Sequence, residues 1–144
     1  MTVRVLAFED LDARTAYDVW RLRQQVFVVE QQSPYPDLDG RDQDPTTRHL
    51  LVGRDGRLVA YARVLDDGGW ARIGRVLVAA DARGHGLADE LVRSALAEIG
   101  DREARLDAQT GLRDWYASYG FEVTGPAFDE DGVFHVPMAR RATA

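Results

Sequence analysis

Arg83, Gly84, Gly86 and Ala88 stand between an apolar run ending at Ala79 and the periodic apolar positions of a helix beginning near Leu87. A strand-to-helix turn of this make-up is a seat for a phosphate group. Small residues let the backbone approach, the first helical amides point outward without partners, and the helix dipole favours negative charge there. Arg83 adds a charge-assisted donor. A dinucleotide fingerprint needs a third glycine where this chain has Asp89. A Walker-type loop needs a Lys followed by Ser or Thr, which is missing. The form Arg/Gln-x-x-Gly-x-Gly/Ala is met by Arg83, Gly86 and Ala88. A plain turn that uses glycine for positive φ stays open beside it.

The stretch Tyr116-Ala117-Ser118-Tyr119-Gly120-Phe121 fits a second pattern, Tyr-x-x-x-Gly-Phe, and Tyr116 also reads as a core aromatic beside Trp115. The three histidines are isolated and show no metal-ligand spacing, so no metal site is expected. Asp37, Asp39, Asp42 and Asp44 crowd a Pro- and Gly-bearing loop. Counted from Asp37, the twelfth residue is Arg48 rather than Glu, so the calcium-loop pattern fails. The loop reads as a solvated acidic segment or as a rim that attracts a cationic substrate.

The 144 residues suit one domain, 1–144, with a core of its own. There is no cysteine, which excludes disulfides, thiolate metal sites and a Cys nucleophile. A net charge of −6 argues against nucleic-acid binding. No membrane-length apolar run or signal pattern is present, so the expected location is the cytoplasm and no membrane contact is expected. Arg72, Arg75 and Arg83 form either a local basic pocket or three solvated side chains.

The elements that must position these residues follow from periodicity. Residues 2–7 alternate as a first strand. Asp10 or Asp12 caps a helix from Ala13, with Tyr17, Trp20, Gln24 and Phe27 on one face and Leu22, Val26 and Val29 beside it. Residues 31–45 form a long loop. Residues 49–53, 58–65 and 70–78, joined by short turns, make an antiparallel meander. A helix through Ile99, closed by Gly100, crosses over to a parallel strand at 104–108. Thr110 caps a helix carrying Leu112, Trp115, Tyr116 and Tyr119, and residues 121–124 and 133–138 form a last hairpin around 129–132. The architecture is an α/β mixed sheet with helices on it.

With both motifs in this order on these elements, the chain resembles the GNAT acyltransferase family. Residues Leu22 to Gln31, the Tyr35 to Gly40 stretch with Asp42, and Asp131-Gly132 with His135 and Met138-Ala139-Arg140 are similar to its ElaA-type branch. The resemblance implies the acyl-CoA N-acyltransferase fold: a mostly antiparallel central sheet splayed after the fourth strand and flanked by helices. It implies acetyl-CoA as co-substrate and a small-molecule or peptide amine as acceptor. Val76, Leu77 and Val78 would meet the pantetheine arm, and Arg83, Gly84, His85, Gly86, Leu87 and Ala88 the pyrophosphate. Tyr116 would protonate the departing thiolate, and Glu30 and His135, with His49 a weaker third, are the candidates to take the proton of the amine. Gln109 stands where the family often has Asn. Direct attack by the amine fits a chain without cysteine. A non-catalytic acyl-CoA-binding regulatory domain, an acyl-homoserine-lactone synthase and a homodimeric state stay open.

Overall fold

Alternating apolar positions gather into one eight-stranded sheet. β1 (Arg4–Leu6), β2 (Arg48–Arg54), β3 (Arg57–Asp66) and β4 (Trp70–Val78) are successive antiparallel neighbours. β5 (Glu103–Gln109) runs parallel to β4, and β8 (Val133–Arg140) runs antiparallel to β5. β6 (Glu122–Val123) and β7 (Phe128–Glu130) both pair with β8. The computed structural model describes residues 2–143.

Helices cover both faces. α1 (Ala13–Arg23) starts at Asp12, whose side chain accepts from the Thr15 amide at 2.7 Å. It continues as a π-helical segment over Gln24–Glu30. With Val19 and Val26 it packs on Leu51, Tyr61 and Leu77. α2 (Leu87–Ile99) is the crossover from β4 to β5, and its Leu91, Val92, Ala95 and Ile99 pack on the opposite face against Leu50, Val52, Ala60 and Ala62. α3 (Arg113–Ala117) brings Tyr116 to the same core as Phe121 and Met138. The alternation within β2 and β3 divides the two cores, as period-two strands covered on both faces must.

Three expectations need correction. Thr110 does not cap α3: it opens a 3₁₀ turn, Thr110–Leu112, and Leu112 precedes the helix without any side-chain cap. The last hairpin contains an extra strand, since β6 pairs with the far end of β8 while β7 makes the tight turn at Asp131-Gly132. The wider π-helical turns shift the phase of the first helix, so Val29 is exposed while Val26 is buried.

The carboxylates of the acidic loop are engaged by arginines, with Asp37 and Asp42 buried. Arg23 is fully buried and donates to Asp37 Oδ2 at 2.8 Å, to the Asp37 carbonyl at 2.7 Å and to Asp42 Oδ1 at 2.6 Å. Arg63, on β3, grips both Asp39 oxygens at 2.9 and 2.6 Å and shares Asp42 at 3.0 Å. Arg75 reaches Asp37 at 2.8 Å, and Arg41 carries the chain of pairs to Asp44 and Asp67. The guanidiniums around Asp39 hold its carboxyl far below the usual range, against the desolvation that would raise it. These carboxylates are the counter-ions of buried arginines. Removing one arginine would strip the buried carboxylates of part of their compensation and destabilise the fold.

His49 belongs to this network and not to a catalytic site. It is buried, with Nε2 2.9 Å from the Asp42 carbonyl and Nδ1 2.5 Å from the Tyr61 hydroxyl. A carbonyl only accepts, so Nε2 carries the proton and Nδ1 accepts from Tyr61. Burial, together with the Arg23 and Arg63 charges, lowers the pKa of the ring below its ordinary 6.5, although Asp42 opposes this. The unfolded chain therefore takes up this proton more readily. Stability is complete above about pH 6.5 and declines as pH falls through that value. Urea denaturation between pH 7.5 and 5 is expected to show that decline, and His49→Gln is expected to flatten the slope whatever its effect on absolute stability. A parent profile flat over this window would contradict the assignment.

Candidate active site

The site begins where β4 and β5 part. They are bonded only at Trp70, Ala71 and Arg72 opposite Glu103, Ala104 and Arg105. Beyond these residues β5 stays on β8 as far as Gln109, while β4 stays on β3 as far as Val78. A bulge drives the divergence. Tyr61 pairs with Leu77 but Arg63 pairs with Gly74, so β4 holds one residue more than β3 between these pairs, and Arg75 takes φ = 53°. Bulges bend and twist a strand in this way. The side of β4 that faces β5 is then left without a strand over Val76–Val78.

The opening is a cleft of about 690 Å³. Val76, Leu77 and Val78 line one wall, and Leu106, Ala108 and Gln109 line the other. At one end lies the turn into α2. Gly84 and Gly86 have φ of 84° and 79°, and no atom lies within 4 Å of where a Cβ would stand on either. The backbone is thus uncovered on that side. No side chain caps α2, so its first amides keep their free hydrogens for a ligand. Asp89, in the first turn of α2, is paired with Arg93 at 3.0 Å and accepts from the Tyr119 hydroxyl, so an anion approaching the turn does not meet a bare carboxylate.

Arg83, Gly84, Gly86, Leu87 and Ala88 all line the cleft, whereas His85 is exposed in the same turn and outside the lining. Tyr116 reaches the cleft from α3. Burial alone pushes its hydroxyl up to about 12, so it is a neutral donor at physiological pH. His135 lines the cleft from β8. In register it stands between Gln109 on β5 and Phe128 on β7, whose ring stacks on the imidazole at 6.0 Å. Its Nδ1 donates to the Val133 carbonyl at 2.8 Å, which leaves the Nε2 lone pair free. Glu130 lies 3.7 Å from Nδ1.

Glu30 is placed differently. It lies outside the cleft lining and makes a two-point pair with Arg83, at 2.8 and 3.0 Å. Arg83 holds the Glu30 carboxyl below its ordinary value. The stretch after Glu30 closes one side of the cleft. The Ser33 hydroxyl donates to the Asp131 carbonyl at 2.5 Å, and the Tyr35 hydroxyl donates to Asp37 at 2.6 Å. The row Phe128–His135–Gln109 and the Ser33–Asp131 contact escape a reading of the sequence, because both depend on which strand β8 joins. A basic residue on the apolar arc of the first helix, Arg23, was the available signal that the acidic loop folds back. Of the three arginines near the turn, Arg72 is paired with Asp67 and Asp107, Arg75 with Asp37, and Arg83 with Glu30. Among the described residues no group of three or more His, Asp or Glu gathers as a metal site, and no helix is long and apolar enough to cross a membrane.

This fold and cleft define an acyltransferase class. The profile of the Acetyltransferase (GNAT) domain matches residues 13–142, and the chain belongs to that family. Its relatives place it near the ElaA branch. The protein ElaA of Escherichia coli is 38% identical over 142 residues, covering 94% of this chain and 93% of its own. A UPF0039 protein of Mycobacterium tuberculosis is 47% identical over 137 residues, covering 92% and 88%. In structure, an acyl-CoA N-acyltransferase from Pseudomonas aeruginosa superposes with a TM-score of 0.89 at 36% identity, covering 97% of this chain and 99% of its own. The E. coli ElaA structure superposes equally well, at 0.89 and 34% identity, covering 98% and 100%.

Proposed function

We propose that this chain transfers an acetyl group from acetyl-CoA to the amine of a small molecule or peptide, by direct attack. One observation carries the reading: a single cleft joins an uncapped helix N-terminus, an unpaired strand edge and a buried neutral tyrosine. The donor supplies an activated thioester carbon. The amides of residues 84–88, with Arg83, suit its pyrophosphate. The free edge of Val76–Val78 suits the amide-bearing pantetheine arm, as strand addition would. Gln109, at the end of β5, faces the same opening.

Two proton movements complete the chemistry. The attacking amine must lose a proton and the departing thiolate must gain one. Tyr116 donates to the thiolate. Of the proton acceptors, His135 fits best, with Nδ1 donating to the Val133 carbonyl and its ring stacked on Phe128. Glu30 fits less well, because its pairing with Arg83 makes it a weaker base. The aspartates of residues 37–44 give no guide to the charge of the acceptor, because their charge is spent on arginines.

The second reading, a domain that binds acyl-CoA without turnover, shares the donor half of the cleft. Thiol release from acetyl-CoA across a panel of amines separates the two. Release that depends on the amine is expected, and CoA binding without release for any amine would favour the silent domain. All 18 cationic side chains are arginines, so the chain presents no lysine amine to confuse the assay. For an amine that reacts, Tyr116→Phe is expected to lower kcat about 100-fold while leaving the dissociation constant of acetyl-CoA within about twofold. An unchanged kcat would remove Tyr116 from the acid role.

A further inference from the structure

Arg83 stands at the entrance to α2 with its guanidinium already engaged. Its Nε donates to the Val78 carbonyl at 3.0 Å, and Nη1 and Nη2 donate to the two Glu30 oxygens at 2.8 and 3.0 Å. The two side chains are 44% and 40% exposed, so water screens the pair and a stronger anion can displace it. The fold does not depend on it. The turn before α2 is held by the Ala79 amide on Val59 and the Ala82 amide on Ala79, and the π-helical segment by buried Val26 and the Ser33–Asp131 contact. Glu30 ends that segment, and the chain then runs through Ser33 and Tyr35 along the cleft. One exposed ion pair therefore joins the phosphate seat to the opposite wall.

We propose that Glu30 is a counter-ion that occupies Arg83 until the diphosphate of the acyl donor displaces it. The inference rests on the acyl-CoA reading above. A diphosphate brings more negative charge than one carboxylate, and it meets Arg83 together with the free amides of α2. Carboxylate and phosphate compete for the same paired N–H groups of the guanidinium fork. Glu30 therefore sets donor affinity by opposing it. Displacement also leaves an unpaired carboxylate beside the strap of residues 31–35, present only when the donor is seated.

Isothermal titration of CoA into the full chain tests this through a four-member cycle of parent, Glu30→Gln, Arg83→Gln and the double variant. Both residues are surface-exposed, and neither change is expected to unfold the chain. Glu30→Gln is expected to tighten CoA about two- to fivefold, the worth of an exposed pair. Arg83→Gln is expected to weaken binding, and Glu30→Gln added to it to change nothing further. Unchanged or weaker binding in Glu30→Gln would overturn the inference, because Glu30 would then orient Arg83 or ignore it. The same gain with Arg83 absent would also overturn it, as a general charge effect. A parent protein that does not bind CoA would overturn the donor reading itself, and this inference with it.

Discussion

Arg23 and Arg63 lie buried between the first helix and the sheet, and neither guanidinium can stay there without carboxylates. Asp37, Asp39 and Asp42 supply them, and the whole segment from residue 31 to residue 47 must fold back over the sheet to do so. Arg23 also lies over the Trp20 and Tyr61 rings, at 5.3 and 5.8 Å, so the charge network is fastened to the aromatic side of the same core. The planar fork of arginine makes the sharing possible. Asp42 serves Arg23 and Arg63, and Asp37 serves Arg23 and Arg75, a sharing that a point-charge ammonium would satisfy less well.

This constraint reaches the cleft through Arg75. The bulge that turns β4 away from β5 places Arg75 in a left-handed conformation, and its guanidinium is tied to Asp37. The strand edge open to a ligand and the loop that walls the cleft are thus fixed by one set of pairs. The other end of the cleft needs no charge network. There the helix amides, two glycines at positive φ and an absent cap make the seat, and its one bound side chain, Arg83, is held by an exposed partner. The pairs that shape the cleft are largely buried, whereas the pair at the turn into α2 is exposed.

The meander, the crossover helix and the Arg83-to-Ala88 turn were legible because each is local: period-two strands, tight turns, then a period near 3.6 with small residues before it. The strand splay followed from family resemblance and is visible in the three-residue contact of β4 with β5. What escaped is non-local or a departure from ideal period. The aspartates of this loop do not announce partners 14 to 38 residues away on other elements. The π-helical turns after Arg23 shift side chains without any change in composition. Thr110 has the chemistry of a cap, but the chain spends a 3₁₀ turn before α3 starts. Glu30 and Arg83, 53 residues apart, read separately as a base and an anion ligand, and only their contact shows that each limits the other.

The proposed function requires the N-terminus of α2 to hold the phosphate end of the donor. Amide NMR tests it most directly, by titrating the ¹⁵N-labelled chain with CoA and, separately, with pantetheine, which carries no phosphate. The expected result is that CoA shifts the amides of Gly84, Gly86, Leu87 and Ala88 strongly, while pantetheine shifts those of Val76 to Val78 and leaves the α2 turn nearly unmoved. Equal shifts of the α2 turn with both ligands, or CoA shifts confined to another part of the chain, would contradict the account.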